Sequence, residues 1–225
     1  MMLAYPANTW GQTEHGGEKS RHAFCFGDYF APDKLGFGAL RVLNETRLVA
    51  GGEWQPLRRA NMDIVTLLLK GSLLQRHADG TESRLEAGQV QCLSAGRGVE
   101  YAQRAADDAH FWQLWIQPNQ VNAAPHISLT QLPASVTGWT SLPLALRQDG
   151  QLQWAQLAGG QSLKAALQNA RRYWLQILQG EVEVCGKRLE SGDALAWQDE
   201  ACALEISALG EGEAKLMLLA LPGCG

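Results

Sequence analysis

The sequence predicts an all-β chain built from two copies of one antiparallel module. Three observations carry this. Short apolar runs bounded by polar residues dominate the 225 residues. Glycines and Gly-containing pairs punctuate those runs at turn spacing. One stretch of strand-and-turn grammar then occurs twice, in the same order.

The first copy opens on Ile64-Val65-Thr66-Leu67-Leu68-Leu69, followed by Lys70-Gly71 and a second run through Leu73-Leu74. Asp79-Gly80 between strand-like runs is a strong short-range hairpin signal. Arg84-Leu85-Glu86-Ala87-Gly88 leads into the strand Gln89-Val90-Gln91-Cys92-Leu93. The second copy opens on Trp174-Leu175-Gln176-Ile177-Leu178-Gln179-Gly180, matching the strand that ends at Gly71. Glu181-Val182-Glu183-Val184 alternates polar and apolar, as a half-buried strand does. Cys185-Gly186 makes the turn, Arg188-Leu189-Glu190-Ser191-Gly192 repeats the earlier corner, and Asp193-Ala194-Leu195-Ala196-Trp197 is the strand after it.

Residues from about 117 to 143 are rich in Pro, Asn, Ser and Thr and read as the connection between copies. Residues 162–170 carry the chain's one helical reading and are too short for a dependable helix. The expected domains are therefore 1–125 and 126–225, each a sandwich or barrel of short strands.

Composition narrows the function classes. A net charge of −4 argues against a nucleic-acid partner held through phosphates. No apolar run approaches the roughly 18 residues of a membrane span. The opening residues show neither the basic nor the apolar stretch of a secretory leader. The five cysteines, Cys25, Cys92, Cys185, Cys202 and Cys224, form no C-x-x-C pair and are odd in number, so a reducing cytoplasm is the expected compartment. The eight tryptophans read mostly as core.

The doubled strand–glycine–hairpin pattern resembles the cupin fold, a small jelly-roll β-barrel, twice in one chain. The run from Arg21 through Phe30, then Leu35 through Asn44, resembles the opening of the pirin family. Met62-Asp63-Ile64-Val65-Thr66, Ser94-Ala95-Gly96-Arg97-Gly98-Val99 and Gln113-Leu114-Trp115-Ile116 are similar to its inner motifs, and the likeness runs in order to about Pro118. The resemblance implies a bicupin. It also implies, for the members that bind metal, a His-x-His pair before the first inner motif and a His-x-Glu pair after the second. Some members carry quercetin 2,3-dioxygenase activity there.

Residues i and i+2 of a strand share a face, so two such pairs on facing strands would converge inside the barrel. Imidazoles with a carboxylate suit a first-row divalent metal. In this sequence the resemblance puts the first pair on Leu57 and Arg59 and the second on Tyr101 and Gln103. Leucine has no donor atom, and arginine is a fixed cation. Tyrosine is a rare ligand and glutamine a poor substitute for carboxylate. The histidines His15, His22, His77, His110 and His126 show no pair spacing, and residues 166–172 of the second copy hold neither His nor carboxylate. No catalytic residue, metal or cofactor is expected.

Each residue has two readings. Arg59 could hold a carboxylate or other anion by bidentate hydrogen bonds, or pair with Asp63, Glu53 or Glu100, or turn to solvent. Arg58 reads as surface. Tyr101 and Gln103 could line a small-molecule pocket or fill the space of the metal, bonded to each other or to water. Cys25 and Cys92 are candidate redox thiols or inert buried cysteines. His22 and His110 could serve as general bases or as structural histidines.

The leading expectation is a cytoplasmic, metal-free pirin-like protein that binds or senses a small, anionic molecule in its N-terminal barrel. A quercetinase-like enzyme with a rebuilt metal site, or a metal-independent activity there, is the alternative. A protein-interaction or transcription-partner module is the second alternative, since the resemblance extends to pirins that act that way. No membrane or direct nucleic-acid partner is expected.

Overall fold

The computed structural model describes residues 1–134 and 138–223, with side chains throughout except at 55–57. Apart from a 3₁₀ turn at Ala7–Thr9, its regular structure is antiparallel strand. The chain forms two compact units. An N-terminal unit comprises Trp10–Leu132 with Leu144–Gln148; a C-terminal unit comprises Met1–Thr9, Pro133–Pro143 and Asp149–Gly225.

This division differs from a cut at 125/126. The strand Met2–Tyr5 pairs with Ala194–Gln198, so the first residues belong to the C-terminal unit. The strand His126–Gln131, inside the expected connection, pairs with Gln89–Ser94 and carries the N-terminal unit on to Leu132. Neither pairing leaves a trace in local periodicity. Residues 162–167 form a strand, not a helix; buried and exposed residues alternate strictly along it.

Each unit stacks two sheets. The N-terminal unit has a seven-stranded sheet in the order His126–Gln131, Gln89–Ser94, Asp63–Lys70, Ala109–Ile116, Leu40–Leu48, Glu18–His22, Gly11–His15. Its four-stranded sheet runs Glu53–Arg59, Val99–Ala105, Ser72–His77, Glu82–Glu86. The C-terminal unit has a six-stranded sheet centred on Arg171–Gln179 and Ala214–Pro222, and a four-stranded sheet in the order Ser162–Leu167, Cys202–Ala208, Glu181–Val184, Lys187–Glu190. The architecture is the two-domain jelly-roll arrangement of cupins. The two sheets of a unit form separate ladders, with no continuous ring of hydrogen bonds among the described residues.

The repeat read from sequence reappears in the backbone. Strand Asp63–Lys70 lies in one sheet and Ser72–His77 in the other, so the chain changes sheets at Gly71. Gly180 makes the same change between Arg171–Gln179 and Glu181–Val184. Gly71 has φ 78° and Gly180 φ 82°, and a Cβ on them would lie 2.4 Å from the Asp108 carbonyl oxygen and 2.5 Å from that of Glu213. The neighbouring crossings match bond for bond. Ala106 N–H donates to Ser72 O at 3.0 Å, and Leu209 N–H to Glu181 O at 2.9 Å. Gly51 N–H donates to Ala105 O at 2.9 Å, and Gly160 N–H to Ala208 O at 3.0 Å.

Inward residues of both sheets make each core. In the N-terminal unit Leu48, Leu68, Leu73, Leu85, Ala105, Ala109 and Phe111 form one buried cluster. Full burial of one such large side chain contributes about 1.5–3 kcal/mol. The C-terminal unit has its own hydrophobic cluster, with Leu163, Leu167, Leu204 and Ile206 among its members. No helix among the described residues is long and apolar enough to cross a membrane.

Buried carboxylates sit in the N-terminal unit at Glu45 and Asp63, and Glu45 is the ion-paired one. Glu45, 3% exposed, accepts from Arg21 Nε at 2.8 Å, His110 Nε2 at 2.7 Å and Arg47 Nη2 at 3.3 Å. Burial alone would raise its pKa, but the hydrogen bonds and charges of His110 and Arg21 outweigh that and hold it at about 2, against an ordinary 4.5. The carboxylate therefore contributes stability fully above pH ~4.5, which is lost as pH falls toward ~2.

Two outcomes follow. Gly71→Ala and Gly180→Ala should each cost about 1–3 kcal/mol in urea unfolding, since both φ and carbonyl contact oppose a side chain. Gly80→Ala and Gly186→Ala, where a Cβ meets nothing within 4 Å, should cost less; equal losses in all four would remove the corner argument. Glu45→Ala should destabilise by about 3–5 kcal/mol at pH 7, leaving Arg21 without its buried partner. Glu45→Gln should flatten the stability loss between pH ~4.5 and ~2 that the parent shows.

Candidate functional site

The strands Glu53–Arg59 and Val99–Ala105 carry the positions singled out from sequence. They are hydrogen-bonded neighbours in the four-stranded sheet, not facing strands, with Tyr101 opposite Leu57 and Gln103 opposite Trp54. A register shift between Tyr101 and Gln103 absorbs the extra residue on the partner strand. The Leu57 side chain lies outside the described residues. Arg59, Tyr101 and Gln103 line one cavity of about 230 Å³.

Further walls come from the seven-stranded sheet and from the loop between its strands Glu18–His22 and Leu40–Leu48. Gln113 and Trp115, two residues apart, face the cavity from Ala109–Ile116, and Phe26 meets Trp115 edge-on with centroids 5.6 Å apart. Glu18, Glu53 and Trp54 complete it. Trp54 and Trp115 are thus half-buried cavity walls, whereas Trp10, Trp112, Trp154, Trp174 and Trp197 are buried core.

Arg59 is half-buried, and its Cζ lies 4.8 Å from the Trp115 ring centroid, a cation–π distance. Its Nη1 donates to the Arg58 carbonyl at 3.3 Å, and it forms no ion pair among the described residues. Asp63, one of its expected partners, is occupied by the Ser94 hydroxyl and by the Arg147 backbone N–H at 2.6 Å. Burial lowers the guanidinium pKa, opposed by Tyr101, and arginine stays protonated throughout. Arg58 is exposed.

Burial pushes the Tyr101 phenol up to about 12, with Arg59 pulling the other way, so it remains a neutral hydroxyl at pH 7. Gln103 is 3% exposed, and its Nε2 is buried with no hydrogen-bond partner among the described residues. The neighbouring Gln75 cannot serve it, because the Gln75 and Gln91 amides bond reciprocally, 2.8 Å each way. Gln113 is likewise engaged, accepting from Trp115 Nε1 at 2.8 Å and donating to Thr66 Oγ1 at 3.3 Å. Glu18 accepts from Ser20 Oγ at 2.5 Å and from Trp54 Nε1.

These residues do not fit a metal. A permanent cation, a protonated phenol and a neutral amide occupy three of the four positions where the resemblance expects ligands. No group of three or more His, Cys, Asp or Glu among the described residues is placed to hold an ion.

The other candidates lie apart. Cys92 is 1% exposed; burial first, and the Asp63 carboxylate second, push its thiol up to about 12, which favours the protonated thiol at neutral pH. Cys25 is partly exposed and its Sγ sits 3.2 Å from both the N and O of Ala31. Cys224 lies outside the described residues. His22 is 1% exposed between Thr13 and Asn44, and burial lowers its pKa. His110 serves Glu45. Sequence reasoning missed Phe26, Trp54 and Glu18 as cavity walls; the i, i+2 spacing of Gln113 and Trp115 was the available signal for those two.

Residues 6–116 match the Pirin family, and residues 134–221 match the Quercetinase C-terminal cupin domain. Quercetin 2,3-dioxygenase of Escherichia coli strain K12 is 30% identical over 235 residues, covering 99% of each chain. The pirin-like protein YhaK of the same strain is 30% identical over 237 residues, covering 99% of this chain and all of that one. Among solved structures, the bacterial pirin YhhW from Escherichia coli in complex with nickel(II) matches with a TM-score of 0.92 at 28% identity, covering 100% of both chains. Fold, doubled module and these full-length matches agree: this chain belongs to the pirin family.

Proposed function

We propose that this pirin-family chain works in the cytoplasm as a small-molecule-binding protein without a metal centre, and that it is not a quercetin dioxygenase. One observation carries the reading. Arg59 puts a fixed positive charge inside the cavity, over Trp115, at a position where the family resemblance expects a metal ligand. A cation there opposes any divalent ion and favours an anionic guest. The aromatic and polar walls are of the kind that binds small organic molecules.

The enzyme reading is favoured by the name quercetin 2,3-dioxygenase borne by a relative 30% identical along nearly the whole chain, by the match of residues 134–221 to a quercetinase C-terminal domain, and by the nickel(II) bound in a similar solved pirin. Oxygen uptake separates the two. The purified protein should consume no oxygen with quercetin, with or without added Fe²⁺, Mn²⁺, Ni²⁺ or Cu²⁺, and elemental analysis of protein prepared without chelator should find far less than one ion per chain. Metal-dependent turnover well above a no-protein control would overturn the proposal.

A gain-of-ligand variant tests the cause. Leu57→His, Arg59→His, Tyr101→His and Gln103→Glu together should bind Ni²⁺ or Fe²⁺ as a substantial fraction of one ion per chain after desalting. The first three alone should bind weakly, because a partial ligand set holds metal poorly. A folded fourfold variant that stays empty would show that more than ligand identity has been lost.

A further inference from the structure

The cavity is polarised, and its polarity selects a ligand class. Arg59 and Glu53 stand at opposite ends of the same strand, whose seven residues span roughly 20 Å. Glu53 and Glu18 make one part of the wall acidic, while Arg59 and Trp115 make another cationic and flat. Trp54 and Tyr101 give an aromatic lining between. Gln103 adds a buried amide whose Nε2 has no partner among the described residues, and rotation about its last side-chain torsion can turn either end of that amide to a guest. A buried polar atom without a partner costs free energy that a ligand acceptor would relieve.

Resting on the proposed function, we infer that the cavity takes a flat aromatic monocarboxylate. The carboxylate sits on the Arg59 guanidinium beside Trp115. The ring lies along the aromatic walls. A ring hydroxyl accepts from the Gln103 Nε2 and donates toward the Glu18 and Glu53 end. A second carboxylate is excluded there by like charge. Size agrees: a cavity of roughly 150 Å³ holds benzene, so about 230 Å³ holds a ring with substituents.

The test is calorimetric titration of the metal-free protein at pH 7 with four probes: 4-hydroxycinnamate, its primary amide, the dicarboxylate 4-carboxycinnamate, and flavone, which has no ionisable group. 4-Hydroxycinnamate should bind saturably at one site. Its amide and the dicarboxylate should each bind at least about tenfold more weakly. Arg59→Gln, checked for folding by near-ultraviolet circular dichroism, should lose about ten- to a hundredfold, and Arg59→Lys, which keeps the charge but not the fork, should fall between. An amide that binds as tightly as the acid, or Arg59→Gln with unchanged affinity, overturns the inference, and the acid–amide comparison needs no variant. Flavone binding without the acid overturns the carboxylate class while leaving the small-molecule reading in place. No binding of any probe, with metal-dependent oxygen uptake on quercetin, overturns both.

Discussion

Everything in this chain hangs on the corners where strands leave one sheet and enter the other. At Gly71 and Gly180 the backbone runs with positive φ, and a carbonyl from the next crossing lies where a Cβ would be. That contact lets the crossings stack, bonded through Ser72, Ala105 and Ala106 in one unit and Glu181, Ala208 and Leu209 in the other. Stacked crossings set the register of both sheets, and register decides which side chains face inward. The cavity residues are inward-facing because the corners fix them so.

The two units turn this common frame to different ends. Matching Ala105 to Ala208 through their equivalent corner bonds puts Gln103 at the place of Ile206, Tyr101 at that of Leu204 and Arg59 at that of Leu167. In the C-terminal unit these three are sealed in an apolar core. In the N-terminal unit they line a cavity. The frame is thus compatible with leucine and isoleucine at all three places, and nothing in its hydrogen bonding calls for a charge, a phenol or an amide there.

The doubled module was legible because its signals are local: Asp79-Gly80, the Arg-Leu-Glu corners before Gly88 and Gly192, and alternation in Glu181–Val184. The resemblance located Arg59, Tyr101 and Gln103. Long-range pairing was not legible. Met2–Tyr5 joins Ala194–Gln198 across nearly the whole chain, and His126–Gln131 hides in a polar connector because one face of it is exposed. The adjacency of the two site strands was also missed, since i, i+2 spacing gives the face of a residue but not its neighbouring strand. Phe26 reaches the cavity from outside any named strand, where periodicity has no purchase.

Glu45 and Arg59 show two ways of keeping a charge in one unit. Glu45 is almost wholly buried and is surrounded by Arg21, Arg47 and His110, so its charge is neutralised within the fold and belongs to stability. Arg59 is half-buried, touches an indole face, and has no carboxylate partner among the described residues although Glu18 and Glu53 share its cavity. Desolvating a cation without a counter-ion is unfavourable, and the indole offsets only about 0.5–2 kcal/mol of that. The equivalent position in the other unit is satisfied by leucine. A charge that the fold does not need and does not neutralise is one whose counter-ion comes from outside, and that is the physical ground for placing the proposed ligand's carboxylate at Arg59.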